Sequence, residues 1–303
     1  MADSDSLEYF VVGEVKAGDD NKPKLNPGEA IRIFTGAPVP DLANAIAIQE
    51  KVEANGNQLK LTITVNENDN IRPLGEQVKK GHLALKKGTK LTSAAIAYLT
   101  SLGITKVKVY KKPCVAMVVT GNELAEAGQP LLHGQIYESN AIMLKSALAK
   151  AGFNEVTIHK IVDDYELTYN NLNDIISQYD VIIVSGGISV GDYDFVGKAL
   201  NQLGVQELFY KVKQKPGKPL FFGKKEEKLI FALPGNPAAA LSCYYIYVLT
   251  ALEKFSGNTD FSLHRIQGAS ITKFLKKGDR SQFLKAIYKN GKVEILEGQN
   301  SSM

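Results

Sequence analysis

Residues 181–195 read VIIVSGGISVGDYDF. The stretch from Val181 to Ser185 is a short run without polar alternation, the pattern of a strand buried on both faces. Gly186 and Gly187 end it, at a point where the backbone can turn sharply and approach a ligand closely. Gly191, Asp192 and Asp194 then lead into a helical pattern from Phe195. Strand, glycine turn, carboxylates and helix in that order place a ligand site at the carboxyl end of a parallel strand. Two glycines alone suit an ordinary strand-to-helix turn equally well, so the neighbouring strand ends decide.

The rest of the chain sets the frame. Its 303 residues suffice for about two domains, and 44% hydrophobic with 22% charged residues is ordinary for a soluble globular protein. No stretch approaches the ~20 consecutive apolar residues of a membrane span, and residues 1–10 are too polar for a secretory signal. Cys114 and Cys243 stand in no zinc or redox spacing and read as core thiols of a cytoplasmic protein. A net charge of +4 gives no argument for nucleic acid. The expected partners are small molecules, with neither nucleic acid nor membrane.

Residues 1–81 read as a β-rich domain with strands at 9–14, 29–34, 44–50 and 59–65, and with 45–48 paired to 59–65 across Asn55-Gly56. Residues 82–112 read as a linker domain containing a helix that starts at Thr92 and ends at Gly103, then a strand at 107–110. From Cys114 the pattern alternates. Strands at 115–119, 155–162, 181–184 and 229–233 are followed by helices at 140–151, 167–177, 195–203 and from the Pro234-Gly235-Asn236-Pro237 loop to about Phe255. Ser139 is the expected N-cap of the first of these. This spacing predicts a parallel sheet covered on both faces over residues 113–257. Short β-like pieces at 266–272, 281–288 and 292–296 fill residues 258–303.

In a parallel sheet the residues just past each strand share one edge. Here that edge receives Thr120-Gly121-Asn122-Glu123, Asp163-Asp164, Ser185 to Asp194, and Pro234 to Pro237. A single loop carboxylate is more often solvated or a helix cap. Acids after three strands repel one another unless they share a cation, and a hard ion such as Mg²⁺, held by one or two carboxylates, water and phosphate, fits best. The basic counterpart is KVKQKPGKP, in which Lys215 and Lys218 flank a Pro216-Gly217 turn. The Pro234–Pro237 loop leads into a helix whose free N–H groups favour an anion. Nucleotide-binding GxxxxGK[ST] and GxGxxG patterns are absent, the four histidines are scattered, and no serine stands in a nucleophile elbow. The chemistry is metal-assisted phosphate or oxyanion work.

At this point the motifs RIFTGAPVP, TGNEL, GQIYESN, SGGISVGDYDF, KPGKP and LPGNP, in this order, resemble the molybdopterin molybdenumtransferase family, the MoeA and gephyrin E-domain family, over nearly the whole chain. The resemblance implies an α/β fold: a parallel three-layer molybdopterin-binding domain flanked by β-rich domains, the last a small β-barrel. It implies a cytoplasmic enzyme that inserts molybdenum from molybdate into adenylylated molybdopterin and releases AMP, assisted by Mg²⁺. Carried over by motif, Glu123, Asp163 and Asp194 line the catalytic cleft as its acids and metal ligands. Thr35 lines it from the partner subunit of a homodimer. Gly186, Gly187, Ser189, Gly191, Gly235 and Asn236 lie in the ligand-binding loops, and Lys215, Lys218 and Arg280 are oxyanion contacts.

The chain departs from the family pattern at several places. Residue 122 is Asn where the motif reads TGDEL, Gln77 stands at an acid position, and Ala239 stands where a serine is usual. A SAMDGYA-type stretch and the preceding helical segment are not in the sequence, and the last β segment stops at Met303, so the chain reads as an internal fragment whose catalysis is impaired. A different class is a non-catalytic pterin-binding or scaffold protein of the same fold, to which the acids lost at 77 and 122 point. A related pterin adenylyltransferase is disfavoured by the additional β-rich regions.

Overall fold

A computed structural model describes residues 7–188 and 195–299 and divides the chain into two compact units, residues 1–86 and 87–303. The first unit is a four-stranded sheet built from β1 (Glu8–Val15), β2 (Glu29–Ile33), β3 (Val52–Asn55) and β4 (Gln58–Leu61), in the order β2-β1-β4-β3. Tyr9, Ala30 and Leu61 form its small core. The expected hairpin around Gly56 exists, but β4 pairs with Val52–Asn55 and not with residues 45–48. Residues 44–48 form no strand, and Gln49–Lys51 is a single 3₁₀ turn. The two-residue Gly56-Asn57 connection explains the correction, because so tight a turn can pair only the residues immediately flanking it.

The second unit begins with α1 (Ser93–Ser101), whose first turn is capped as expected by Thr92 accepting from the Ala95 N–H at 3.2 Å. Residues 107–110, expected as a strand, are irregular. The strands that follow are β5 (Val115–Thr120), β6 (Leu124–Ala125), β7 (Ile136–Tyr137), β8 (Val156–Ile161), β9 (Val181–Ser185), β10 (Gln206–Tyr210), β11 (Gln214–Lys215), β12 (Phe221–Lys225) and β13 (Lys228–Leu233). The helices between them are α2 (Asn140–Lys150), α3 (Tyr165–Gln178) and α4 (Phe195–Gln202). After β13 come α5 (Pro237–Cys243), a π turn at Tyr244–Val248, and α6 (Leu249–Phe255).

Six strands form the main sheet in the order β10-β12-β13-β9-β5-β8. The run β13-β9-β5-β8 is parallel, while β12 and β10 extend it as antiparallel strands that the sequence reading missed. Both faces are covered. Val115, Met117, Val119, Val181 and Ile183 pack with Leu144, Leu148, Tyr244 and Leu252 on one side. Ala116, Val118, Ile182 and Val184 pack with Leu172, Ile176, Val196 and Leu200 on the other. Two fully buried faces are the reason the strands carry unbroken apolar runs. The chain leaves β5 for β8 on one side and returns to β9 on the other, so the strand order reverses between β5 and β9.

Past α6, β14 (Ala269–Ser270), β16 (Ala286–Lys289) and β17 (Lys292–Ile295) form a small mixed sheet in the order β14-β17-β16. Between them, β15 (Ser281–Gln282) leaves that sheet and pairs in parallel with β11. The expected strands at 266–272 and 281–288 are therefore shorter, and the second is split in two.

Candidate active site

In an open α/β sheet ligands bind beyond the carboxyl ends of the strands, where the strand order reverses. That point here lies between the loops after β5 and β9. Gly186 sits against the end of β5, so that a Cβ there would stand 2.6 Å from the Thr120 carbonyl oxygen, and its φ of +94° suits only glycine. At Gly187 a Cβ would meet the Val196 side chain at 2.6 Å and Thr120 Oγ1 at 2.7 Å. The turn is thus wedged between β5 and α4. Ser189, Gly191, Asp192 and Asp194 lie outside the described residues.

From the opposite face the turn is fastened by Asn140, the first residue of α2. Asn140 Nδ2 donates to Ser185 Oγ at 2.8 Å and to the Gly235 carbonyl at 2.7 Å, tying the ends of β9 and β13 together. Because a carbonyl can only accept, this pairing fixes which way the amide faces. Two buried polar atoms beside the turn have no hydrogen-bond partner among the described residues: Asn140 Oδ1 and Thr120 Oγ1. Their residues are 8% and 4% exposed. An unpaired buried polar atom costs about 1–3 kcal/mol, so a partner for either atom would stabilise the strand-order reversal. The sequence reading took Asn140 only as the start of a helix, although it closes the GQIYESN motif.

The acids separate into roles. Asn122 Oδ1 accepts from the Asp163 N–H at 3.2 Å, joining the loops after the adjacent strands β5 and β8. An Asp at 122 would accept in the same way, so the substitution leaves this link intact. Glu123 folds back towards Gly121, where a Cβ would lie 2.8 Å from both carboxylate oxygens. Asp164, expected at the shared edge, caps α3 instead: Oδ1 accepts from the Leu167 N–H at 2.8 Å. Among the described residues no three His, Cys, Asp or Glu side chains converge on one point. Glu138, unsuspected from sequence, accepts from the Ala141 N–H at 2.8 Å and supplies the α2 cap expected of Ser139, whose side chain makes no capping bond. Glu138 also lines a cavity of about 250 Å³ with Gly121, Asn122 and Lys160. A larger cavity of about 740 Å³ lies beside α4, lined by Tyr165, Lys198, Tyr210 and Phe221, and holds none of the expected site residues.

The basic group comes from the connection between β10 and β12. β11 carries Lys215, and β15 pairs with it, setting Ser281 opposite Gln214 and Gln282 opposite Lys215. In this parallel register Arg280 precedes the pairing at the level of Lys213, and Lys215 and Lys218 of the KPGKP turn are exposed. Lys213, in the same segment, faces Asp279 at 3.7 Å. Lys228 does not join them, since Nζ donates to the Ser177 and Tyr179 carbonyls at the end of α3. At the other loop, Asn236 caps α5 by accepting from the Ala239 N–H at 3.2 Å, which occupies one of the N–H groups expected to face an anion. Thr35 lies in an exposed turn after β2, in the first unit.

Two family models match the chain. One, described as a probable molybdopterin binding domain, covers residues 116–254, and the other, the MoeA N-terminal region (domain I and II), covers residues 2–103. The chain is 37% identical over 298 residues to the molybdopterin molybdenumtransferase of Haemophilus influenzae, covering 96% of this chain and 73% of that protein. It is 32% identical over 296 residues to the enzyme of the same name from Bacillus subtilis, covering 96% and 68%. Among solved structures, the molybdopterin biosynthesis MoeA protein of Pyrococcus horikoshii OT3 superposes with a TM-score of 0.80 at 30% identity, covering 98% of this chain and 73% of that one.

Proposed function

The chain belongs to the molybdopterin molybdenumtransferase family and has its role in molybdenum cofactor biosynthesis, and on that premise we propose that the crevice at the β5–β9 reversal binds adenylylated molybdopterin and molybdate. The observation that carries this reading is the pair of buried atoms Thr120 Oγ1 and Asn140 Oδ1 near the Gly186-Gly187 turn, which have no hydrogen-bond partner among the described residues. Thr120 Oγ1 can donate or accept and Asn140 Oδ1 accepts, so both suit the hydroxyl and amino groups of a nucleotide or pterin. The turn itself lets the ligand lie against backbone.

Lys215, Lys218 and Arg280 neutralise the oxyanion as point charges and an additional guanidinium fork. Glu123 and Asp163 are the acids of the cleft, with Asp194 as the third. Their oxygen donors at the ends of neighbouring strands suit Mg²⁺, which takes one or two carboxylates and leaves its remaining positions to water and phosphate. Glu123, Asp163 and Asp194 would hold the ion, which would supply neutralising positive charge to a phosphate. The Asn122 link holds the loops of Glu123 and Asp163 at a fixed spacing, the positional control that transition-state stabilisation requires. Gly186, Gly187, Ser189, Gly191, Gly235 and Asn236 shape the loops around the ligand.

The reading extends to architecture. Residues 1–81 form the β-rich domain, 82–112 the linker domain, 113–257 the three-layer molybdopterin-binding domain, and 258–303 part of a small β-barrel. Two copies form a homodimer in which Thr35 of one subunit lines the cleft of the other. The test is molybdate-dependent AMP release from adenylylated molybdopterin, with and without chelator. Release that depends on molybdate and Mg²⁺ and falls for Lys215→Ala/Lys218→Ala supports the reading. Ligand binding without release would move it to a non-catalytic pterin-binding scaffold, and absence of ligand binding would overturn it.

A further inference from the structure

The basic turn stands on a buried polar support. Gln214, 1% exposed, lies directly beneath it. Its Nε2 donates to the Gly217 carbonyl at 3.2 Å and reaches Cys243 Sγ at 3.4 Å. Its Oε1 accepts from the Tyr247 hydroxyl at 2.5 Å. Since the hydroxyl must donate and the carbonyl must accept, the amide has a single orientation. Gly217 is packed onto the same group: its φ is +88°, and a Cβ there would stand 2.6 Å from Cys243 Sγ and 2.9 Å from Gln214 Nε2. Burial pushes the Cys243 thiol up to about 12 and also raises Tyr247, so both stay protonated and no anion forms under the lysines. Tyr247 belongs to the π turn of Tyr244–Val248, an irregularity that recurs near functional sites.

The backbone around the turn is fixed on its other sides as well. The Lys218 carbonyl accepts from the Val212 and Leu220 N–H groups, each at 3.0 Å, and the Lys215 carbonyl accepts from the Phe283 N–H at 2.9 Å. Between these anchors the Gln214 side chain ties down the Pro216-Gly217 step. A side chain that bonds the middle of the turn sets the separation of the two ammonium groups flanking it.

We propose that Gln214 is the positioning residue of the oxyanion site, holding the Pro216-Gly217 turn so that Lys215 and Lys218 converge on one tetrahedral oxyanion, with Tyr247 locking its amide. The inference rests on the reading of those lysines as oxyanion contacts. Gln214 touches no ligand. It acts through the turn, because the attraction of two point charges for one anion falls as either moves away.

The test measures sodium molybdate binding by equilibrium dialysis at low ionic strength, together with thermal melting, for the whole chain. The variants are Gln214→Leu, Tyr247→Phe, Lys215→Ala/Lys218→Ala, and the lysine pair combined with each of the first two. Gln214→Leu is expected to weaken binding about tenfold and Tyr247→Phe about threefold, as for the loss of a buried hydrogen bond. In the lysine-less background neither adds a further loss, since groups acting through the same contact are not additive. A purely structural role would lower the melting temperature and leave affinity unchanged well below it, and that result overturns the inference. So does an equal loss in both backgrounds. Should Gln214→Leu fail to fold, Tyr247→Phe, which deletes one hydroxyl, decides by the same criteria. If the lysine pair alone binds as the parent does, the oxyanion reading of the lysines fails and this inference falls with it.

Discussion

Asn140→Ala tests whether the glycine turn is held as described. The side chain is 8% exposed and donates twice, to Ser185 Oγ and to the Gly235 carbonyl. Ser185 is 2% exposed, so its lost bond is not replaced by water and costs about 1–1.5 kcal/mol. Gly235 stands in an exposed loop, where water can take over, and its share is about 0.5–1 kcal/mol. The sum is about 2 kcal/mol, and deleting Asn140 Oδ1, which has no partner among the described residues, gives back about 1 kcal/mol, leaving about 1 kcal/mol. For a unit the size of residues 87–303, each kcal/mol moves the melting temperature by about 2–4 °C, so a drop of about 2–4 °C is expected. The chain has no tryptophan, so far-UV circular dichroism is the suitable probe. The same variant should weaken pterin-ligand binding, because the Ser185 side chain and the Gly235 carbonyl lose the group that joins them. A melting temperature within ~1 °C of the parent would refute the reasoning, since the buried bond to Ser185 would then contribute nothing.

Thr120→Val removes a buried hydroxyl that has no partner among the described residues and should leave stability unchanged or raise it by about 1 kcal/mol while weakening the pterin ligand; a comparable stability loss in urea unfolding would show that the hydroxyl is already bonded. Gly186→Ala forces a Cβ to 2.6 Å from a backbone oxygen at a φ of +94°, so unfolding should shift by at least about 2 kcal/mol, and an unshifted midpoint would mean the turn is not wedged as described. His159 is held below its ordinary pKa by burial, so the unfolded chain takes up a proton that the folded chain refuses. Stability should therefore be full above about pH 6.5 and decline as the pH falls from there through the folded pKa, and His159→Gln should flatten that part of the profile in urea titrations. An identical slope for the variant would assign the acid loss to other groups.

The parallel core was legible because both faces of the sheet are covered, which leaves a signature of unbroken apolar strands closed by glycine turns and helix starts. Val181–Ser185 is the plainest case. The antiparallel β10 and β12 were not legible as part of that sheet: lysines and exposed positions at their ends, as in Lys224 and Lys225, break the pattern. The sequence also offers nothing that ranks β5 next to β9, and hence nothing that says which two loops form the crevice. Acids were found by type, but type does not reveal that Asp164 is spent as a helix cap while its neighbour Asp163 is not. Asn140 and Gln214 were overlooked for the same physical reason. A neutral amide has no charge to advertise it, and its importance arises from partners that stand 45 and 29 positions away, at Ser185 and Cys243.

The two-residue ladder between β11 and β15 also governs where this chain can tolerate change in length. Ser281 and Phe283 donate to the Lys213 and Lys215 carbonyls, so the C-terminal segment is stitched to the basic turn at a fixed offset. Insertions or deletions in the segments on either side of β14, at 258–267 and 273–276, alter slack in the connection, provided both the stitch and the β14–β17 pairing re-form. A one-residue slip at the stitch itself would reverse the face on which Arg280 stands and withdraw it from the lysines. Divergent relatives are thus free to vary the intervening loop in size and sequence, while the spacing from Arg280 to Phe283 is held constant by geometry.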